Sequence, residues 1–482
     1  MRSFLWITAL ALVLSIHLSA STKDRLLLTE IPIYIYYGLL DMSVKIYHIL
    51  SENNPDDRNI VFSPYGLYTF MALLHLSSEG NMTTTLHRML QMPHLETRHK
   101  TTDVYQQLHN YLVDLRNHMN YNVSFQNGTV KNVKTSDFRL INEIYVPYFM
   151  ERKESFLKSA HQYFNSSGQS ELYFRQGIDA RNENRTIERF NEHMVYKIHQ
   201  LFDWQDPHGK LFHPLVFSSG AYFKMAWQQK FNKSLTKKEK FKRPLLWRQS
   251  YFGHHDVFDY AVYDYKYMTV DMMHGVVRGQ YAELEVSRSI GPIASVFGLK
   301  SIDEQFTMFI VLPYENTSLA DFGHNENPMA MEKLLDEREM EYEECEVDVK
   351  LPKFYFKWSK SIVEDLDKLG FSKYFMTSRQ TTGMLKYSNI EIKDIYHTAE
   401  IKIDEDGIGD NIGVDIPYST DKSQSGNSTL PKKQFHVNRS FFFYVYSHAI
   451  KSMMLIGTVF DVGDHVCSSD YKKNRTNYCT FS

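Results

Sequence analysis

Thr398-Ala-Glu-Ile-Lys-Ile403 runs without a break into Asp404-Glu-Asp-Gly407-Ile-Gly-Asp-Asn-Ile-Gly413, and the reading of this stretch decides the fold. Ala399, Ile401 and Ile403 alternate with polar partners, which is the period-2 signature of a half-buried strand. Val414 to Lys433 then reads VDIPYSTDKSQSGNSTLPKK, with neither a helical nor a strand period beyond Ile416. Structureless connections longer than about 12–15 residues are uncommon in compact domains and are functional or disordered where they occur. The loop is therefore the first place to look for function. After it, Phe435-His-Val437 and Phe441-Phe-Phe-Tyr-Val-Tyr446 read as aromatic, β-branched strands of a large buried sheet.

Two other motif readings of the stretch fail on chemistry. Gly407-Ile-Gly409 and Gly413 imitate a dinucleotide fingerprint, but a pyrophosphate site needs a helix opening at the glycines, and Pro417 with the Ser/Gly run forbids one. Asp404-Glu-Asp406 imitates a calcium loop, yet its glycine is misplaced and no glutamate closes it.

The chain has 482 residues, 43% hydrophobic and 14% aromatic, enough to bury a large core. A formal charge of -3 leaves no basic excess with which to hold nucleic acid. Met1-Arg2, the apolar run Phe4 to Ile16 and the small Ser19-Ala20-Ser21 form the three regions of a secretory signal peptide, assigned to residues 1–21. The run breaks at Ser15 and His17, too early for a membrane span of about 20 residues. A secreted, extracellular protein without a membrane anchor is expected. Sequons at Asn81, Asn122, Asn127, Asn165, Asn184, Asn232, Asn316, Asn427, Asn438 and Asn474 agree with that route. The 3 cysteines make no disulfide framework. Cys467 and Cys479, which bracket the polar tail 463–482, are the expected pair, leaving Cys345 as a small buried core residue.

Along the chain, Leu39, Met42, Ile46 and Ile49 share one helical face. Ser63 and Pro64 stand as N-cap and first residue of a helix over Tyr65 to Leu76. Asn81 starts a short helix, and Val104, Leu108, Tyr111, Leu112 and Leu115 mark a longer one. Phe138 to Val146 alternates as a strand, helices follow at Glu154 to Tyr163 and Ile178 to Leu201, and Leu215 to Tyr222 is a buried strand leading to Trp227. Phe306 to Leu312 and Val347 to Phe356 are further strands, and Ile362 to Leu369 is a helix stopped by Gly370. Helices early and strands late describe an α+β fold around a large sheet. No repeat and no interdomain linker is visible.

In order, Asn59-Ile-Val-Phe-Ser-Pro64, Asn142-Glu-Ile-Tyr-Val146, Phe223-Lys-Met-Ala-Trp227, Met272-Met273, Leu351-Pro-Lys-Phe354, His397 through Gly407, Asn438-Arg-Ser-Phe441 and Ile456-Gly-Thr-Val459 resemble the serpin family of serine protease inhibitors. The resemblance assigns a serpin domain to residues 30–462. It implies a serpin-like fold, helices clustered toward the N-terminal half, and an exposed reactive loop near the C-terminus. In that family the loop is cut by a protease and inserts as a new strand into the main sheet, trapping the acyl-enzyme. The resemblance makes Glu405, Gly407, Ile408, Gly409, Asp410, Asn411, Ile412 and Gly413 the hinge. It places the scissile bond at Asp421, Lys422 or Ser423, with Lys422 suited to a trypsin-like serine protease as partner. Ser63, Ser219, His397 and Trp227 become the cluster governing sheet opening. A monomer with no cofactor, no metal, no nucleic-acid partner and no catalytic residues is expected.

The sequence also departs from the family. The hinge carries Ile408-Gly-Asp-Asn-Ile-Gly413 where inhibitory members have a threonine and small residues. The resemblance implies an insertion register that turns Ile408, Asp410, Ile412, Val414 and Ile416 inward, so the alternation survives except at Asp410. Burying that carboxylate unpaired costs several kcal/mol or forces protonation. Ser219 stands where the family has asparagine, and Gly66 where it has serine. Phe241 to Met272 carries an aromatic insertion whose Gly253-His-His-Asp256 reads as a solvated loop, because no further ligand pattern accompanies it. A weakly inhibitory or non-inhibitory serpin, serving as a protease substrate or binding protein, is expected; the alternative is a functional suicide-substrate inhibitor of a trypsin-like protease. An enzyme is not expected, since Gly-x-Ser-x-Gly, His-Glu-x-x-His and Cys-x-x-Cys are all missing.

Overall fold

The computed structural model describes residues 33–52, 59–92, 98–118, 120–124, 130–147, 151–165, 170–178, 215–252, 257–285, 291–315, 317, 319, 328–336, 339–370, 383–386, 392–409, 430–462, 465–467 and 479–481. Helix α1 (Ile33–Glu52) buries Leu39, Met42, Ile46 and Ile49 as their spacing requires. β1 (Ile60–Phe62) leads through Ser63 into α2 (Pro64–Ser77), where the Ser63 hydroxyl accepts from the Gly66 N–H at 3.1 Å. α3 (Asn81–Met89) and α4 (Arg98–His118) complete the helical opening.

A small hairpin, β2 (Asn120–Ser124) with β3 (Val130–Lys134), precedes β4 (Ser136–Pro147), α5 (Glu154–Phe164), β5 (Ser170–Ile178) and β6 (Leu215–Ala226). Of the helix expected over Ile178 to Leu201, Ile178 instead ends β5, where it pairs Pro147, and the rest lies outside the described residues. β7 (Lys237–Phe252) and β8 (Val257–Glu285) pair antiparallel from Lys237↔Met272 to Phe252↔Val257. The aromatic insertion is thus a two-stranded ribbon; the run of Tyr, Trp, Phe, Val and Leu residues suits paired strands. Pro244 is tolerated in it because β8 is the one strand that β7 pairs with among the described residues, and the single bridge on its other side, Lys242↔Arg439, falls two residues earlier. Gly253 to Asp256 lie outside the described residues.

β9 (Pro292–Lys300), β10 (Phe306–Pro313) and α6 (Pro328–Leu335) follow. The single strand expected from Val347 to Phe356 is instead two, β11 (Glu343–Pro352) and β12 (Phe354–Ser361), which belong to different sheets. Pro352 has no N–H with which to extend a ladder, and the chain changes sheets at Lys353, whose N–H donates to the Asp271 carbonyl at 2.8 Å. Then come α7 (Val363–Lys368), β13 (Ile392–Ile403), β14 (Gly407–Ile408), β15 (Lys432–His436), β16 (Phe441–Ser447), β17 (Ser452–Val459), β18 (His465–Cys467) and β19 (Cys479–Phe481).

The main sheet has the order β19-β18-β12-β13-β14-β6-β4-β5, with β13 also pairing β6; the second has the order β1-β17-β16-β10-β9-β8-β11-β15, with β7 on β8. α2 is apolar all round and almost wholly buried, as such a helix must be, and it touches β6 of one sheet and β17 of the other. Among the described residues no helix is long and apolar enough to cross a membrane.

The departure at Gly66 has a packing reason. A Cβ there would come within 3.0 Å of Leu140 Cδ2 on β4 and 3.1 Å of Ser63 Oγ, so a larger residue requires these side chains to give way by a few tenths of an ångström. Gly66→Ser is expected to lower stability by about 1–3 kcal/mol through overpacking, read as a shift in the urea midpoint. An unchanged midpoint would show that Leu140 repacks freely.

Candidate functional site

The site is built where β13 ends. The turn Asp404 to Gly407 folds on itself, with the Asp406 N–H donating to Asp404 Oδ1 at 2.9 Å, and sends the chain back as β14. β14 lies between β13 and β6, with Ile403↔Ile408 on one side and Gly407↔Ala226 and Ile408↔Met225 on the other. Ile408 is therefore already a buried sheet residue. Further along, β6 and β13 close directly on each other in parallel, from Leu215 to Ala221 and Ile392 to Ala399.

Gly409 follows directly on the end of β14. Its φ of +80° is a left-handed conformation that glycine adopts without strain, and a Cβ there would meet Lys224 Cβ at 2.7 Å and the Phe223 carbonyl oxygen at 3.0 Å. Its N–H donates to the Lys402 carbonyl at 2.8 Å, holding it against β13. Gly407 is equally confined, since a Cβ would come within 2.0 Å of the Met225 carbonyl oxygen.

A gate of charged groups fastens the turn. The buried Glu405 carboxylate accepts from Lys353 Nζ at 2.8 Å and Thr236 Oγ1 at 2.7 Å, and Asp406 accepts from Lys230 at 3.0 Å and Lys233 at 2.9 Å. Burial alone would raise both carboxyl pKa values; their lysine and threonine partners outweigh it and hold them below the usual range. Backbone contacts add to the clamp, the Trp227 and Phe231 N–H groups donating to the Asp406 and Glu405 carbonyls at 3.1 Å each. The Trp227 indole N–H donates to the Asp404 carbonyl at 2.9 Å.

Trp227 thus belongs to the gate. The other three residues assigned to sheet opening meet elsewhere, about 25 Å down β6 at the usual strand rise. There the register aligns Asn142, Ser219 and His397 across β4, β6 and β13, all fully buried. The Ser63 N–H donates to His397 Nε2 at 3.0 Å, tying the row to the N-cap of α2. Burial pushes the His397 pKa down to about 3, the Ser219 backbone acting the other way. The imidazole is neutral, and Nε2 as acceptor leaves its proton on Nδ1. Neither polar atom of the Asn142 side chain, nor the Ser218 or Ser219 hydroxyl, has a hydrogen-bond partner among the described residues. Serine in place of asparagine on β6 therefore leaves the row loosely connected.

Of the remaining assigned residues, Asp410 to Gly413, Asp421, Lys422 and Ser423 lie outside the described residues. Asn81, Asn165, Asn232 and Asn438 are exposed. Asn122 lies on β2, while Asn127, Asn184, Asn316, Asn427 and Asn474 are outside. The tail cysteines lie opposite each other, Cys467↔Cys479, across β18 and β19. Sequence reasoning missed Lys353, Lys230, Lys233, Thr236 and Asn142. Lys353 and Asn142 sit inside motifs quoted above, but only the folded register brings them to Glu405 and Ser219.

The depressed pKa values of His397 and of His75, the latter held at about 4 chiefly by burial and secondly by His87, fix a pH dependence. The unfolded chain binds protons at these sites near pH 6.5 and the folded chain does not, so stability is complete above that pH and falls as pH drops toward 3. Each group adds a slope of up to about 1.4 kcal/mol per pH unit in that window. Urea midpoints for His397→Gln should fall less between pH 7 and pH 5 than those of the unmodified chain; equal falls would remove His397 from the account.

The family model described as serpin, serine protease inhibitor, matches residues 38–462. Serpin B3 from Homo sapiens is 22% identical over 410 residues, covering 83% of this chain and 93% of that protein. Neuroserpin from Gallus gallus is 20% identical over 429 residues, covering 87% and 90%. Among solved structures, human glycosylated kallistatin superposes with a TM-score of 0.65 at 19% identity, covering 89% of this chain and 98% of that one. Human thyroxine-binding globulin gives a TM-score of 0.63 at 16% identity, covering 89% and 98%. These two likenesses concern the fold. With the α+β architecture and the family match over most of its length, the chain belongs to the serpin family, whose members are generally serine protease inhibitors rather than enzymes.

Proposed function

We propose that this chain is a secreted, glycosylated, monomeric serpin whose loop is cut by a trypsin-like protease at Lys422 but inserts poorly, so that it acts as a substrate or binding protein. The observation that carries this reading is the register of β14. Ile408 pairs Met225 and Ile403; continuing both ladders brings Asp410 between Phe223, 2% exposed, and Ile401, 1% exposed. Phe223 packs against Phe138 and Phe306. A carboxylate arriving there finds apolar neighbours on both flanks and must lose its charge or stay out. Gly409 works in the same direction, because insertion requires it to exchange a left-handed for an extended conformation.

The inhibitory reading has its own support. Ile408 is already seated, and the same register brings Ile412 between Ala221 and Ala399, Val414 between Ser219 and His397, and Ile416 between Phe217 and Ile395. Ile412 and Ile416 meet apolar neighbours there and Val414 meets the polar row, so Asp410 is the one charged misfit among the inward positions.

Incubation with trypsin followed by denaturing electrophoresis separates the two. The expected result is a fragment beginning at Ser423, released active protease, no covalent complex, and a thermal midpoint of the cut chain close to that of the intact one. Replacing Asp410 and Gly409 by alanine should raise the midpoint of the cut form and yield some complex. A stable covalent complex formed by the unmodified chain would overturn the proposal.

A further inference from the structure

We propose that the C-terminal hairpin is a disulfide-closed cap that guards the free edge of the main sheet against pairing with a second copy of this chain. β12 is bonded along its full length to β13, from Phe354↔Ile403 to Ser361↔Tyr396. Its other side would end the sheet, but β18 pairs there in parallel, Phe356↔His465, and β19 closes on β18 through His465↔Phe481, Val466↔Thr480 and Cys467↔Cys479. The serpin match stops at residue 462, so the cap is an addition to the family domain.

The edge beneath the cap is a hazard when bare. A terminal strand presents a row of unpaired N–H and C=O groups, a template for another chain, and proteins blunt such edges with proline, bulges, charge or a cover. β12 reads Phe354-Tyr-Phe-Lys-Trp-Ser-Lys-Ser361, rich in aromatic residues of high strand propensity, with no proline and only Lys357 and Lys360 as charges. It is poorly protected by its own sequence. The partner it suits best is an identical β12, since two copies of one edge form a closed, self-complementary pair.

Cap segments of three residues are too short to persist alone. The cysteine register supplies the remedy. Directly opposed residues of an antiparallel pair have Cα atoms about 4.5–5.5 Å apart, inside the range a disulfide spans. Cys345 lies on β11, in the other sheet, and is buried, so it does not compete. Closure transfers two electrons and two protons from the Cys467 and Cys479 thiols to a low-molecular-weight disulfide, which is reduced to two thiols as the Sγ–Sγ bond forms.

Sedimentation velocity tests the cap on three proteins: the oxidised full chain, a chain ending at Val462, and a full-length Cys467→Ser/Cys479→Ser variant. The full chain should remain monomeric. The truncated chain, once its circular dichroism shows it folded, should self-associate at least tenfold more tightly, and an oxidised synthetic peptide of residues 463–482 added in trans should return it to monomer. A folded truncated chain that stays monomeric, or ignores the peptide, overturns the proposal. Should truncation prevent folding, hydrogen exchange on the double-serine variant decides. Its β12 amides should exchange faster than in the oxidised chain, and equal rates overturn the role of the disulfide. Non-reducing peptide mapping must also find Cys467 joined to Cys479; both free, or either joined to Cys345, overturns it independently.

Discussion

The direct parallel pairing of β6 with β13 is the constraint on which the remaining architecture turns. A strand entering the main sheet must replace every hydrogen bond between Leu215 to Ala221 and Ile392 to Ala399, and it starts from β14, already lodged where the two strands diverge. The gate above and the polar row below both act on this seam. Lys353, Lys230 and Lys233 hold the turn that feeds it, while Ser63 and His397 tie it to the helix behind. An ion pair at a half-buried gate is sensitive to salt; a neutral imidazole in a dry row is sensitive to acid. The two ends of the seam therefore answer to different solution variables.

The polar row shows how a family framework accommodates substitution. With Ser219 shorter than the asparagine it replaces, the Asn142 side chain opposite it on β4 has no hydrogen-bond partner among the described residues, and Leu140 fills the space left open by Gly66. Polarity has been exchanged for apolar packing on one side of the row and left unsatisfied on the other. An unpaired buried amide costs about 1–3 kcal/mol, so the closed sheet is held less firmly here than a completed network would hold it.

Much of this is legible in the sequence. Ser63 with Pro64 fixed the start of α2 because a cap needs only three consecutive residues to show itself, and the alternation of Ala399, Ile401 and Ile403 marked β13 for the same local reason. The sheet change at Lys353 left only a faint trace, a one-residue slip in the alternation from Val347, Val349 and Leu351 to Phe354 and Phe356, and only tertiary pairing shows that the two halves have different neighbours. The separation of Trp227 from His397 was not legible, since both lie in motifs of one family and their distance is set by length along β6. The tail strands were invisible because segments of three residues carry no period.

The junction at Lys353 also gives the chain a closed circuit. From Glu405 the backbone runs through the loop to β15, β15 pairs with β11, β11 continues through Pro352 to Lys353, and Lys353 returns to Glu405 through its ammonium. This is a macrocycle sealed by one ladder and one ion pair. Its closure entropy grows only slowly with the length of the loop, so a long loop burdens the fold little more than a short one. Severing any backbone bond between residues 410 and 429 would open the ring without touching either seal.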